Sequence, residues 1–440
     1  MRLHVVLLSA LYVGSPLLAA CVGDDPRATV PGPNDGPDGS SAIDGAASSG
    51  DGGPSGGNDS GVPACGAVGT ACCAGNICSG GAQCNGTICA CPANQTACGS
   101  SCVDTKIEGL HCGRCSHDCL GGACSNSKCS AYTVTPSQPT ISRIFVDGAR
   151  MYWTRGISSL PAGGFYSARL DGTDLVTVFS SGANGCYAAT TGAGKAYFTC
   201  STAGSMFEIR QCTLPCGAGS SMALKSGIAS ANGLAVNPAT GTVYYGVPTS
   251  YNQLPNGGIF DTAGNRVGST NQPNPVDLVV ANGSLYWLNG GTYTSDSPQK
   301  NGGLVRASLA SLGTEVSVVG SGGNYYDNST LTVDANNVYY SGRDANENDE
   351  DVVVGNATAT GAAPTVFAEG VGSYVASDGT NVFFTEPATN SVRYCSRTAG
   401  CGSGKSALAL NELDVVALSF DAKSVFWAKF NGTIRRIAKP

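Results

Sequence analysis

Histidine is nearly absent: the 440-residue chain has three, and none follows His117. Beyond that point the chain cannot assemble a Ser-His-Asp triad, a histidine-ligated metal or a histidine general base, the commonest means of catalysis at neutral pH. Charge is also scarce. Asp, Glu, Lys and Arg supply 12% of residues, where about a quarter is usual, too few to solvate the outer faces of many helices. The net charge of -7 removes the attraction on which nucleic-acid binding rests and excludes DNA and RNA as partners. No apolar run is long enough to span a bilayer.

Glycine and cysteine are abundant instead. The 62 glycines are about twice the ordinary share of ~7%, and each costs ~1 kcal/mol against Ala inside a helix. This composition predicts a turn-rich, all-β protein. Twenty-one cysteines are too many for a reducing compartment and point to an oxidising, extracytoplasmic location.

The chain begins with Arg2 and His4, an apolar run over residues 5–13, and the tetrad Leu18-Ala19-Ala20-Cys21. The run is short enough to be a secretory h-region. The tetrad resembles a bacterial lipobox, which implies that 1–20 is a lipoprotein signal peptide and that Cys21 carries a thioether-linked lipid. The alternative is an ordinary signal cut that leaves Cys21 a spare thiol. Cysteine arithmetic favours lipidation: without Cys21, 14 cysteines lie in 65–129 and six lie after residue 185, and both sets are even. Acyl chains would then hold the protein on an outer membrane or cell surface.

Residues 21–64 contain seven Asp against Arg27 alone, no aromatic residue, and otherwise chiefly Gly, Ser, Pro and Ala. Such a segment cannot bury enough apolar surface to offset its ordering entropy. It is expected to be a disordered tether with a reach of ~35–40 Å.

The segment 65–129 holds 14 cysteines and no Phe, Tyr or Trp, so covalent staples must replace an apolar core. Its latter part has Cys98, Cys102-Val103-Asp104-Thr105, Cys112-Gly113-Arg114-Cys115, Cys119, Cys124 and Cys129. This ladder resembles the cysteine-rich repeat of the stigma-specific protein family, which implies an extracellular interaction module without catalytic chemistry. The stretch Glu108-Gly109-Leu110-His111 departs from that family's pattern. The spacing leaves the pairing of the 14 cysteines open. His111, Cys112, Cys115, His117 and Cys119 also have the proximity of a zinc site, but secretion and the surplus of thiols favour disulfides.

From residue 133 one hairpin recurs: an apolar strand, a polar turn, and a second strand that closes on two aromatics. Its final aromatics are Trp153, Phe198, Tyr245, Trp287, Tyr340, Phe384 and Trp427, with spacings of 45, 47, 42, 53, 44 and 43 residues. In the first copy a further pair of strands flanks Asp171-Gly172-Thr173, and four short antiparallel strands in ~45 residues make one propeller blade. The expectation is a seven-bladed β-propeller over 132–440, with six or eight blades as the alternatives because the fourth copy carries an insertion. The last copy has room for one further strand, so 132–135 is expected to supply its outer strand and close the ring.

Tyr152-Trp153-Thr154, with Leu170-Asp171-Gly172 downstream, resembles the YWTD-type extracellular propeller repeat. The family's fourth residue, Asp, is replaced in the seven copies by Arg155, Cys200, Val247, Asn289, Gly342, Glu386 and Lys429. The resemblance therefore implies the fold type only. In the ring, Cys186 and Cys200 stand opposite each other in a hairpin, and Cys212 with Cys216 and Cys395 with Cys401 stand beside turns, so three local disulfides are expected.

Binding chemistry is expected in loops. Second-to-third strand loops and blade-to-blade connections share one face, and the long ones carry Tyr251, Tyr293 and the set Tyr325-Tyr326-Asp327. Asp344, Asn346 and Asn348 begin like a calcium loop, but Asp349 occupies the turning-glycine place and Gly355 the place of the bidentate Glu. A solvated acidic loop is the favoured reading, with Ca²⁺ as the alternative and no other cofactor. The whole reads as a lipid-anchored surface protein that binds protein or glycan and is not an enzyme. The rivals are a carboxylate-based glycosidase or lyase on the ring, and a spacer without ligand.

Overall fold

The second strand of each repeat carries two adjacent aromatics, whose side chains point to opposite faces of a sheet and can be buried only if both faces are covered. The protein meets this demand by arranging its sheets radially. The computed structural model describes residues 65–136, 140–156, 163–203, 206–248, 257–268, 272, 274–291, 293–294, 297–298, 302–323, 330–343, 350–356, 365–372, 374–401 and 404–440.

Six blades are four-stranded antiparallel sheets, each from one continuous stretch: 141–182, 186–228, 233–267, 275–323, 331–371 and 375–409, numbered 1 to 6 here. A further four-stranded sheet is composite. It takes Val415–Phe420, Ser424–Lys429 and Ile434–Ala438 from one end of the chain and Tyr132–Thr135 from the other, with Ile434 opposite Thr135 and Arg436 opposite Tyr132. This corrects the expectation of a seven-bladed propeller: six blades are complete in themselves, and the composite sheet closes the ring, with Tyr132–Thr135 supplying its outer strand as expected. The physical reason is the unpaired edge that Ile434–Ala438 would otherwise present.

The innermost strands are Ile141–Asp147, Cys186–Gly192, Gly233–Val236, Pro275–Ala281, Leu331–Val333, Val375–Ser377 and Val415–Phe420, and each touches the next, the last touching the first. Between the sheets lie the buried clusters. The first aromatic of one sheet shares a cluster with the second aromatic of the next: Tyr152 with Phe198, Tyr197 with Tyr245, Tyr244 with Trp287, Tyr286 with Tyr340, Tyr339 with Phe384, and Phe383 with Trp427. Phe426 with Trp153 completes the cycle. Truncating one such ring to Ala should cost about 3–5 kcal/mol, so the repeated aromatic pair is both the sequence signature and the principal adhesive.

Hydrogen bonds also tie neighbouring blades. Thr154 Oγ1 donates to the Tyr187 carbonyl at 2.7 Å, the Leu331 amide donates to Asp277 Oδ2 at 2.9 Å, and the Val375 amide donates to Thr330 Oγ1 at 2.8 Å. Several replacements of the tetrad Asp act within local networks. Asn289 Nδ2 donates to Gln272 Oε1 at 2.8 Å, an oxygen that also accepts from Trp287 Nε1 at 2.7 Å. Glu386 pairs with Arg393 at 2.6 Å and Lys405 at 2.5 Å. Lys429 lies 3.5 Å from Glu412, which accepts from Trp427 Nε1 at 3.0 Å.

All 14 cysteines of 65–129 are bridged, in two sets that no bridge joins. Cys65–Cys73, Cys72–Cys84 and Cys78–Cys89 form the first; Cys91–Cys102, Cys98–Cys115, Cys112–Cys124 and Cys119–Cys129 form the second. Short hairpins and the turn Gly109–His111 supply the only regular structure there among the described residues. The disulfides consume the thiols of the proposed zinc set. His117 is engaged instead with the backbone: Nδ1 lies 2.6 Å from the Cys112 carbonyl and Nε2 2.8 Å from the Lys439 carbonyl, joining the cysteine-rich segment to the closing sheet's end. Among the described residues no helix is long and apolar enough to cross a membrane.

Candidate functional site

One residue precedes the partner of the final aromatic in every innermost strand. The pairings Ile144 with Trp153, Ala189 with Phe198, Leu234 with Tyr245, Leu278 with Trp287, Leu331 with Tyr340, Val375 with Phe384 and Leu418 with Trp427 define it. The equivalent positions are therefore Arg143, Ala188, Gly233, Asp277, Thr330, Tyr374 and Ala417. In four of these strands a register shift falls just before this position, and such bulges re-aim side chains.

This level lies at the end of the ring where the innermost strands begin. A cavity of about 400 Å³ opens there, with Ser142, Arg143, Tyr187, Asn232, Tyr374 and Phe430 in its lining. Tyr187 and Phe207 form one wall, their ring centroids 5.8 Å apart, while Phe430 is 64% exposed at the rim. Burial raises the Tyr187 hydroxyl's pKa, against a hydrogen bond with Ser201.

Asp277 does not line this cavity. Burial pushes its carboxyl's pKa up, against the Arg143 charge and the amides of Leu331 and Leu278. Its two oxygens are already occupied, Oδ2 by the Leu331 amide and Oδ1 by the Leu278 amide at 3.1 Å. Arg143 makes no hydrogen bond or ion pair in the structure among the described residues. A guanidinium beside aromatic surface, with Ser and Asn close by, can bind an anionic or hydroxylated ligand.

Of the residues singled out from the sequence, Cys21, Tyr251, Tyr325, Tyr326, Asp327, Asp344, Asn346 and Asn348 lie outside the described residues. Tyr293 lies on the two-residue strand Tyr293–Thr294 in the second-to-third strand connection of blade 4. Cys186 is bridged to Cys200, Cys212 to Cys216 and Cys395 to Cys401. Reasoning from long loops missed the cavity at the channel mouth. Its one signal was Arg143, a charged residue between Ile141 and Ile144 in the innermost strand of the first repeat.

No protein-family model matches the chain, and no curated protein matches it. Among solved structures it is similar to U3-55K, at 10% identity over 70% of this chain and 98% of that one, with a TM-score of 0.48. It is also similar to the β-propeller domain of the Trilobed protease from Pyrococcus furiosus, at 11% identity over 66% of this chain and 90% of that one, with a TM-score of 0.47. TolB from Acinetobacter baumannii has 12% identity over 66% of this chain and 64% of its own, with a TM-score of 0.40. The class is defined by the strand pairing and not by these scores: an all-β propeller with a disulfide-rich region before it.

Proposed function

We propose that the protein is a surface-displayed binding module in which the propeller's strand-entry face recognises an extracellular ligand. The observation that carries this reading is the aromatic cavity containing Arg143 at the channel mouth. It lies on the face shared by the second-to-third strand loops and the blade connections. The tetrad ending at Cys21 supports lipid anchoring, the linker up to residue 64 supports display clear of the membrane, and the cysteine ladder of 98–129 supports an extracellular, stigma-specific-like interaction role. The absence of histidine after His117 favours binding over catalysis.

The test uses full-length protein on arrays of immobilised oligosaccharides and of extracellular protein domains. Tyr374→Ala with Phe430→Ala should abolish binding, whereas Leu175→Ala on the opposite face should leave it intact. Equal binding by the double variant and the parent would overturn the reading. Loss of metabolic acyl labelling in Cys21→Ser would support the anchor, and retention of the label would overturn it.

A further inference from the structure

We propose that the cavity at the channel mouth takes the carboxylate of an acidic sugar, a hexuronic acid, on Arg143; this rests on the binding role argued above and names its ligand class. Three observations converge on it. Arg143 lines the cavity together with the small Ala188 and the aromatic Tyr187 of the adjoining blade. No acidic residue among the described ones lines the cavity. The carboxylate at the same level, Asp277, belongs to blade 4 and has both oxygens engaged by backbone amides.

The remaining wall selects the body that bears the acid. Tyr187, Tyr374 and Phe430 supply aromatic surface for the apolar side of a pyranose, and Ser142 and Asn232 supply polar groups for its hydroxyls. A purely hydrocarbon acid would leave those polar groups unpaired. The net charge of -7 gives no long-range attraction for an anion, so the acid must be one group on a body held by contact.

Methyl β-D-glucuronide, methyl β-D-glucoside and phenylacetate, titrated into the full-length protein by calorimetry, test this. The glucuronide should bind, and the glucoside should bind at least about tenfold more weakly, since a hydrogen bond to a charged group contributes about 1.5–3 kcal/mol. Arg143→Gln should weaken the glucuronide by a similar factor and leave the glucoside unchanged; Arg143→Lys, which loses the two-pronged geometry, should fall between. An unchanged melting temperature in each variant separates lost binding from lost folding. The proposal is overturned if glucuronide does not bind, if Arg143→Gln binds it like the parent, or if phenylacetate binds more tightly. Array binding that is lost in the Tyr374 and Phe430 double variant but kept in Arg143→Gln would sink the acidic ligand while leaving the binding face in place.

Discussion

Phe426 of the closing sheet and Trp153 of blade 1 are fully buried in one cluster, although they come from opposite ends of the ring-forming chain. This shared cluster repeats the aromatic relay of every other sheet boundary and makes the ring continuous.

Phe426→Ala should therefore lower the urea unfolding free energy by about 3–5 kcal/mol, and Trp153→Ala by a similar amount. Because the two rings share one cluster, the double variant should lose less than the sum of the single losses. Strict additivity would show that the ring does not close through this pair.

Gly172 sits in the third-to-fourth strand turn of blade 1 with φ +87°, and a Cβ there would lie 1.9 Å from the Val134 carbonyl oxygen of the closing strand. Gly172→Ala meets both backbone strain and an overlap with main chain. A loss exceeding about 1 kcal/mol is expected, read as a lower melting temperature; an unchanged melt would show that this turn does not rest on Tyr132–Thr135.

Two carboxylates make stability sensitive to acid. For Glu386, burial acts to raise the pKa but is outweighed by hydrogen bonds from Lys405 and Thr389 and by the charges of Lys405 and Arg393, so the net shift is downward. For Asp378, burial is likewise outweighed, by the amides of Asn381 and Thr380 and by Lys439. A depressed carboxylate contributes stability above its unfolded value, near 4, and that stability is lost as pH falls through the lower folded value. Denaturation midpoints should fall as pH drops below about 4, and less steeply in Glu386→Gln. Identical acid profiles would contradict this assignment.

Asp277 acts in the opposite sense. Its raised carboxyl pKa means that folding favours the protonated form, so its contribution is present below the unfolded value and is lost as pH rises through the folded one. Asp277→Asn carries a fixed cost from the Leu331 and Leu278 amides, but its stability relative to the parent should improve steadily as pH rises above about 4. A pH-independent difference would refute the shift.

His117 joins the cysteine-rich segment to the backbone at Lys439. His117→Ala should speed proteolytic cleavage near residues 128–132 while leaving the ring's melting temperature within about 2 °C of the parent, since no core contact is lost. Unaltered cleavage would show that the link does not restrain the segment.

The hairpin repeat was legible because adjacent aromatics such as Tyr152 and Trp153 force two-sided burial, a demand visible in any single copy. The outer-strand role of Tyr132–Thr135 was legible for a similar reason: Ile434–Ala438 left a strand place unfilled. The bridging within 65–129 was not legible, because 14 cysteines so closely spaced allow many pairings and only the path of the backbone brings Cys98 to Cys115 or Cys112 to Cys124.

Composition and period by themselves determined an all-β, oxidised, repeat-built protein, since glycine content, cysteine number and aromatic spacing act through local propensity and burial. Tertiary structure alone decided where a ligand could sit. Arg143 is one polar residue in Ile141–Asp147 until the ring closes, and only then do Tyr187, Tyr374 and Phe430, distant in the chain, come to line a cavity with it. Charge matters through distance, and for these residues distance is created by closure of the ring.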